Sequence, residues 1–488
     1  MVEPEWRQFR GTHEILISST DMNTKPYSPE EARGIVGSLK QPAVFCNMAC
    51  DWPALKWSVE YLSSVLEDKP LRFRIGKRQT AKAPQFETQC CYAEATLSEF
   101  LAWTQGQPDA AIGPFSTSPY SQCWAYADYK YIAMLFEEES AMFQDVVWTD
   151  FGFPDRDGRD STLWIGTEGA NTPCHQDSYG CNLVLQVHGR KRWHLFPSED
   201  THCLYPTRIP YEESSVFSRV NVVNPDWNRF PAFAKASAHV VTLNPGQVLF
   251  VPRHWWHYVE SIDPITVSIN SWLEMDVDDE ARVGEALTKT LVCALKSAPS
   301  PDNSDNWLNP TEVEATSHET NLRYLSLAVQ SCLGKRKDLC NETLSVNPGA
   351  AVSSHTKRKR DTDGTTANKI GRKNHCEPPQ FTFGPHLIPV PRKLDEQSAS
   401  PGDKGGERCS CKHSDCSAPS NKLERHRCEK CSPSSSPERD STNEAVLEED
   451  KKEADTLTIT TNDLLDCLLQ PQVVSLVAKL LFDKQGTF

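Results

Sequence analysis

Two stretches decide how this chain reads: Thr172-Pro173-Cys174-His175-Gln176-Asp177 and, some 80 residues later, Gly246-Gln247-Val248-Leu249-Phe250-Val251-Pro252-Arg253-His254-Trp255-Trp256-His257. In extended chain, residues i and i+2 point the same way, so the imidazole of His175 and the carboxylate of Asp177 can converge on one ion. The second stretch reads as a strand ending in a Pro and aromatic turn that presents a histidine. Together they offer two His and one carboxylate, the donor set that holds Fe(II) with coordination positions left open. His-x-Asp alone is weak. With 14 His in the chain, about one such triplet is expected by chance, and His413-Ser414-Asp415 supplies a second one in a polar tail. Taken alone, Asp177 could simply orient an ordinary histidine. In the second stretch His254 is the rival of His257, which is preferred because it shares strand parity with Val259.

Around these stretches lie six short apolar runs: Leu163 to Thr167, Cys181 to Val187, Arg190 to Phe196, Val240 to Leu243, Gln247 to Val251 and Ile265 to Trp272. The His-x-Asp triplet falls between the first two. Asn244-Pro245-Gly246 is a turn signal between two of the runs, and such close spacing favours a barrel or sandwich over βαβ units. Upstream, Ser28-Pro29-Glu30-Glu31 and Thr96-Leu97-Ser98-Glu99 are capping-box helix starts. Pro42-Ala43-Val44-Phe45 reads as a strand, and Trp57 to Leu66 as a helix. Downstream, Asp278 to Lys296 carries Val283, Leu287, Leu291 and Leu295 at helical spacing, and Asn309-Pro310-Thr311-Glu312 caps a helix running towards Cys332. Asn462 to Leu469 and Gln472 to Phe482 read as amphipathic helices divided by Pro471. These last two are expected either to dock a partner or to pack on the barrel.

The whole chain has 488 residues, a formal net charge of −15 and 18 Cys. The acidic balance argues against general nucleic-acid binding, which rests on Lys and Arg. The start, with acidic residues and no apolar segment, predicts no secretory leader, and no apolar run has the length of a membrane span. The scattered cysteines predict reduced thiols. The expected organisation is a flexible 1–25, a folded 26–275, a helical extension over 276–340, a disordered linker over 341–455 and an amphipathic tail over 456–488. The linker is rich in Ser, Thr, Lys, Glu and Pro and has too few large apolar side chains to offset chain entropy. Within it, Lys357-Arg358-Lys359-Arg360 has the composition of a nuclear-localisation signal or of an ordinary solvated run. Cys409, Cys411, His413, Cys416, His426, Cys428 and Cys431 have partial zinc-site spacing.

In Gly189-Arg190-Lys191-Arg192-Trp193-His194-Leu195-Phe196-Pro197 the strand period puts Lys191, Trp193 and Leu195 on one face and Arg190 and Arg192 on the other. A lysine on an apolar face is a candidate buried anion anchor, which must find a partner there. The alternative is a solvated basic cluster.

These motifs, with Asn182 and Ser268-Ile269-Asn270-Ser271-Trp272, recur in the same order in the JmjC family. The chain most closely resembles its asparaginyl-hydroxylase-like branch over about 26–275. The resemblance implies a mainly β fold with flanking helices, built on a double-stranded β-helix, the cupin-like jelly roll. It implies a dioxygenase using Fe(II), 2-oxoglutarate and O2, with His175, Asp177 and His257 as iron ligands. Lys191 would pair with the distal carboxylate of 2-oxoglutarate, assisted by Thr172 and Tyr126, with Tyr129 the alternative to Tyr126. Asn182 and Asn270 would stand beside the cosubstrate. The implied activity is protein hydroxylation, with methyl-lysine demethylation and a non-catalytic scaffold as alternatives. The helices over 278–333 would serve either as a homodimer interface or as core. The chain as a whole, including Asp463 to Leu468, is similar to a vertebrate branch that associates with small heat-shock proteins. That similarity implies such a partner, a role in stress response and a mainly cytoplasmic location.

Overall fold

The computed structural model describes residues 24–78, 81–106, 113–296, 316–345, 381–393 and 459–485. Its strands, in chain order, are β1 Ala43–Phe45, β2 Leu71–Lys77, β3 Cys91–Ala95, β4 Cys123–Tyr131, β5 Thr162–Thr167, β6 Asn171–Asp177, β7 Cys181–His188 and β8 Lys191–Phe196; then β9 Pro206–Glu212, β10 Ser215–Ser218, β11 His239–Leu243, β12 Val248–Val251, β13 Trp256–Ser261, β14 Ile265–Leu273 and β15 Leu387–Pro389. The α-helices are α1 Pro29–Ser38, α2 Val59–Leu66, α3 Leu97–Gln105, α4 Ile132–Leu135, α5 Thr201–Leu204, α6 Asp278–Lys296, α7 His318–Ser345, α8 Thr461–Leu468 and α9 Pro471–Gln485.

All pairings are antiparallel. One sheet has the order β15-β1-β12-β7-β14-β5-β4-β2-β3, the other β11-β8-β13-β6-β10-β9. The two walls form the expected double-stranded β-helix with flanking helices. Side-chain alternation assigns the cores. Val184, Leu249 and Val251 of the larger sheet meet Trp193, Leu195 and Val259 of the smaller one in the lumen. Leu183 and Leu185, one position off, belong to the outer core with Trp57, Phe73 and Phe100 from the N-terminal part. Covering on both faces is why β7 reads as a near-continuous apolar run and is buried from Cys181 to Val187. Both expected capping boxes form, at Ser28–Glu31 and Thr96–Glu99.

Several expectations need correction. His175-Gln176-Asp177 does not lie between strands but ends β6, which pairs with β10 and β13 on its two sides. Residues 341–455 are not uniformly without structure. α7 continues to Ser345, and Leu387–Pro389 joins the larger sheet beside β1. A Pro-punctuated run looks unlike a strand, yet Pro is tolerated at a sheet edge, where a missing N–H costs no ladder bond. The Asn309 cap, the basic run at 357–360, the decoy triplet at 413–415 and the Cys/His group at 409–431 lie outside the described residues, as do residues 1–23 of the expected flexible start.

The C-terminal helices pack onto the folded unit. Leu465 and Leu469 of α8 are buried against Tyr211 and Val292, and Arg219 pairs with Asp466. Val474, Val477, Leu481 and Phe482 of α9 pack on Val283, Leu287, Leu325 and Val329 of α6 and α7. Leu465 is fully buried, so Leu465→Ala is expected to cost about 2–5 kcal/mol where it docks. The expected readout is faster proteolysis within 459–485; unchanged protection would mean that α8 is not held by this contact.

Candidate active site and metal centre

A bulge and two registers build the centre. His257 of β13 pairs with His175 of β6, and Val259 pairs with Thr172. Two steps on β13 thus match three on β6, so one extra residue is accommodated between Thr172 and His175. The bulge lets these two, which strict alternation would place on opposite faces, line the same cavity. Asp177 follows His175 by two residues and shares its face.

The ligand atoms of His175, Asp177 and His257 all lie within 4.8 Å of one another. His175 Nε2 is 3.6 Å from Asp177 Oδ1 and His257 Nε2 is 3.9 Å from Oδ2. Each imidazole uses its other nitrogen on the backbone of its own strand region. His175 Nδ1 lies 2.9 Å from the Pro173 carbonyl and His257 Nδ1 lies 3.0 Å from that of Trp255. A carbonyl can only accept, so both Nδ1 atoms carry a proton, and both Nε2 atoms face the carboxylate. Burial, and then the neighbouring His257, lower the His175 pKa to about 4 against the pull of Asp177; it is a neutral donor at neutral pH. Two imidazole nitrogens and one carboxylate oxygen fit a divalent iron ion. His254, the rival ligand, sits in a turn at φ 63°, and its Nε2 lies 3.4 Å from the Ser178 carbonyl.

Trp272 Nε1 donates to Asp177 Oδ2 at 3.1 Å and Trp193 stacks beside His257. Partners that orient metal ligands typically contribute 10–100-fold in affinity. Trp272→Phe is therefore expected to weaken Mn(II) or Fe(II) binding by about 10–100-fold, read by calorimetry; unchanged affinity would remove Trp272 from this role.

The triad opens into a cavity of about 670 Å³ that also contains Thr172, Tyr126, Lys191, Asn182 and Asn270. Every sequence-predicted site residue is therefore in one place. Lys191 is 2% exposed. Its Nζ donates to Tyr126 Oη at 3.1 Å and to Ser268 Oγ at 2.7 Å. Burial lowers its pKa to about 7, opposed by the carboxylate of Asp128. Arg190 and Arg192 face outward and pair with Asp263 and Glu260, which sets aside the reading of one solvated basic cluster. Tyr126 is the tyrosine at Lys191. Tyr129 also lines the cavity, because β4 bulges between Ala127 and Lys130, but its hydroxyl donates to Glu212 at 2.9 Å. Asn270 donates to Asn182 Oδ1 at 2.9 Å and accepts from Trp164 Nε1 at 2.7 Å.

Ser268 and Trp272 are contributors that sequence reasoning left without a role. Both share parity with Asn270 on β14, and all three line the cavity; that parity was the available signal. Beside Tyr126 lies a buried ion pair that no motif announced. Arg74 Nε donates to Asp128 Oδ2 at 2.6 Å, and Arg74 also bonds the Asn171 carbonyl at the start of β6.

A family model for a cupin-like domain matches residues 30–279, which include the three candidate metal ligands. The chain is 54% identical over 467 residues to HSPB1-associated protein 1 homolog of Danio rerio, covering 95% of this chain and 99% of that one. It is 50% identical over 466 residues to HSPB1-associated protein 1 of Homo sapiens, covering 94% of each. Over 242 residues, 48% of each chain, it is 30% identical to Lysine-specific demethylase 8 of Xenopus tropicalis. With two-sheet architecture, domain match and near end-to-end identity in agreement, the chain belongs to the cupin-like JmjC family, in the group of HSPB1-associated protein 1.

Proposed function

We propose that the protein is an Fe(II)- and 2-oxoglutarate-dependent oxygenase that hydroxylates a protein substrate. The observation that carries this reading is a two-His, one-carboxylate centre sharing a cavity with a buried lysine that has no carboxylate in ion-pair contact among the described residues. A structural lysine in that position would be costly, whereas an anion anchor is satisfied when its ligand arrives.

His175, Asp177 and His257 would hold Fe(II), which supplies oxygen activation and the oxidative decarboxylation of 2-oxoglutarate. The balanced reaction takes 2-oxoglutarate, O2 and a substrate C–H to succinate, CO2 and C–OH. The protein's own contribution is placement. Lys191 receives the distal carboxylate by a charge-assisted hydrogen bond, with Tyr126, Ser268 and Thr172 around it. Trp272 fixes the Asp177 carboxylate. Trp164, Asn270 and Asn182 form a bonded chain in the wall, and Val184, Trp193 and Val259 keep the lumen dry. Protein hydroxylation is favoured by similarity to the asparaginyl-hydroxylase-like branch. The name of the relatives attaches them to HSPB1, so a small heat-shock protein is the first substrate or partner to test.

The test loads the full chain with Fe(II) and measures succinate, with and without a small heat-shock protein, beside His175→Ala. Succinate that depends on His175, with one oxygen atom gained by the added protein, supports the reading. Equal succinate from His175→Ala refutes it. A chain that binds metal and 2-oxoglutarate, binds the heat-shock protein and turns over neither is a scaffold.

A further inference from the structure

Residues 381–393 stand apart in sequence from the elements they touch. The strand Leu387–Pro389 runs antiparallel to β1, with Ala43 opposite Pro389 and Phe45 opposite Leu387. Cys46 N donates to the His386 carbonyl and Val390 N to the Pro42 carbonyl, both at 3.0 Å. The same segment then crosses to the other sheet. Val240 N donates to the Pro391 carbonyl at 3.2 Å, Lys393 N to the Ala238 carbonyl at 2.7 Å, and His239 Nδ1 to the Val390 carbonyl at 2.9 Å. β1 and β11 lie on the flanks of their respective sheets, so this strap sews the two walls together.

Its side chains enter two different cores. Leu387, fully buried, belongs to the outer core with Phe45, and Val390, 4% exposed, joins Val44, Cys46, Leu249 and Trp255 in the lumen core. Two anchors of opposite parity fit only a segment lying along the seam between cores. Pro389 and Pro391 remove two N–H groups from the strap, which suits a strand that ends a sheet. Without the strap, the seam would present unpaired β1 and β11 backbone and two apolar sockets. Those are the ingredients of strand-addition peptide recognition: main-chain bonds for affinity, pockets for specificity.

We infer that residues 381–393 are a tethered peptide ligand of a groove between β1 and β11, selected by Leu387 and Val390 and able to stay docked when its chain connections are cut. Occupancy of the groove also braces the strand of Lys191. β11 pairs with β8 from His239 opposite Leu195 to Leu243 opposite Lys191, so the strap, bonded to β11 at Ala238 to Val240, reaches the strand of the lysine through β11. This bracing rests on the cosubstrate reading of Lys191; the groove itself does not.

The experiment introduces protease sites within 346–380 and 394–458 of the full chain and cuts the folded protein. The excised fragment should co-elute with the remainder on gel filtration. Excess free 381–393 peptide should displace it, and the same peptide carrying Leu387→Ser and Val390→Ser should not. Separation of the fragment on cutting, or equal displacement by both peptides, overturns the groove. After displacement by dilution and removal of the fragment, 2-oxoglutarate affinity should fall about tenfold while Mn(II) affinity holds. Unchanged 2-oxoglutarate affinity overturns the bracing. An intact chain that binds no 2-oxoglutarate defeats the cosubstrate reading instead, and the groove is then decided by co-elution alone.

Discussion

His257→Ala is expected to abolish specific Fe(II) binding and succinate formation, whereas His254→Asn retains both. His257 Nε2 faces Asp177 with its other nitrogen occupied by the Trp255 carbonyl, so the variant loses one of the three donors gathered at the centre. Removing a partner that merely orients a ligand costs about 10–100-fold, and removing the ligand itself should exceed that. Asparagine is the proper control at 254, because the backbone there lies at φ 63°, a conformation Asn tolerates better than Ala. Among the described residues the His254 ring makes one long hydrogen bond, at 3.4 Å to a carbonyl, so its loss should leave the centre within about tenfold of wild type, below one outer-partner effect. Calorimetry with Mn(II), followed by succinate assay with Fe(II), checks both. Metal binding lost in His254→Asn but kept in His257→Ala would reassign the centre.

The difference between these two histidines shows where the sequence was legible. Parity separated them: His257 and Val259 share a face of β13, and both line the cavity. Lys191 and Trp193 were legible for the same reason. Parity misleads where the backbone departs from strict alternation. The extra residue between Thr172 and His175 in β6 and the irregularity around Tyr129 in β4 bring side chains of odd separation together. Only the resemblance pointed to Thr172 and Tyr126. The strap was hidden for another reason. Its two anchors serve different cores, so Leu387 and Val390, three residues apart, break the period of two that marks a half-buried strand. The Arg74–Asp128 pair comes from strands far apart in sequence and has no local signature at all.

Lys191→Met should separate binding from stability, and it carries the second large effect. Methionine matches the length of lysine without the ammonium. The distal carboxylate of 2-oxoglutarate would then enter a buried site with no cation. Loss of one partner of a buried ion pair costs about 3–5 kcal/mol, so 2-oxoglutarate affinity should fall at least about 100-fold, while Mn(II) affinity should hold. The free chain should be no less stable, since a buried cation without a paired carboxylate is removed. The pH dependence has a definite sign. Folding lowers the Lys191 pKa from 10.5 to about 7, burial being the main cause and Asp128 opposing it. Between those values the unfolded chain binds the extra proton, so the lysine's cost to the free fold is full below pH 7 and relieved as pH rises towards 10.5. Binding runs the other way. The cosubstrate needs the ammonium form, so its affinity in the wild type should weaken from pH 6.5 to 8.5, by up to about tenfold per unit above pH 7. Titrating 2-oxoglutarate into the Mn(II)-loaded chain across that range, beside Lys191→Met, reads the effect directly. A wild-type affinity that does not change with pH, or a Met variant that binds as tightly, would remove Lys191 as the anchor while leaving the metal centre standing.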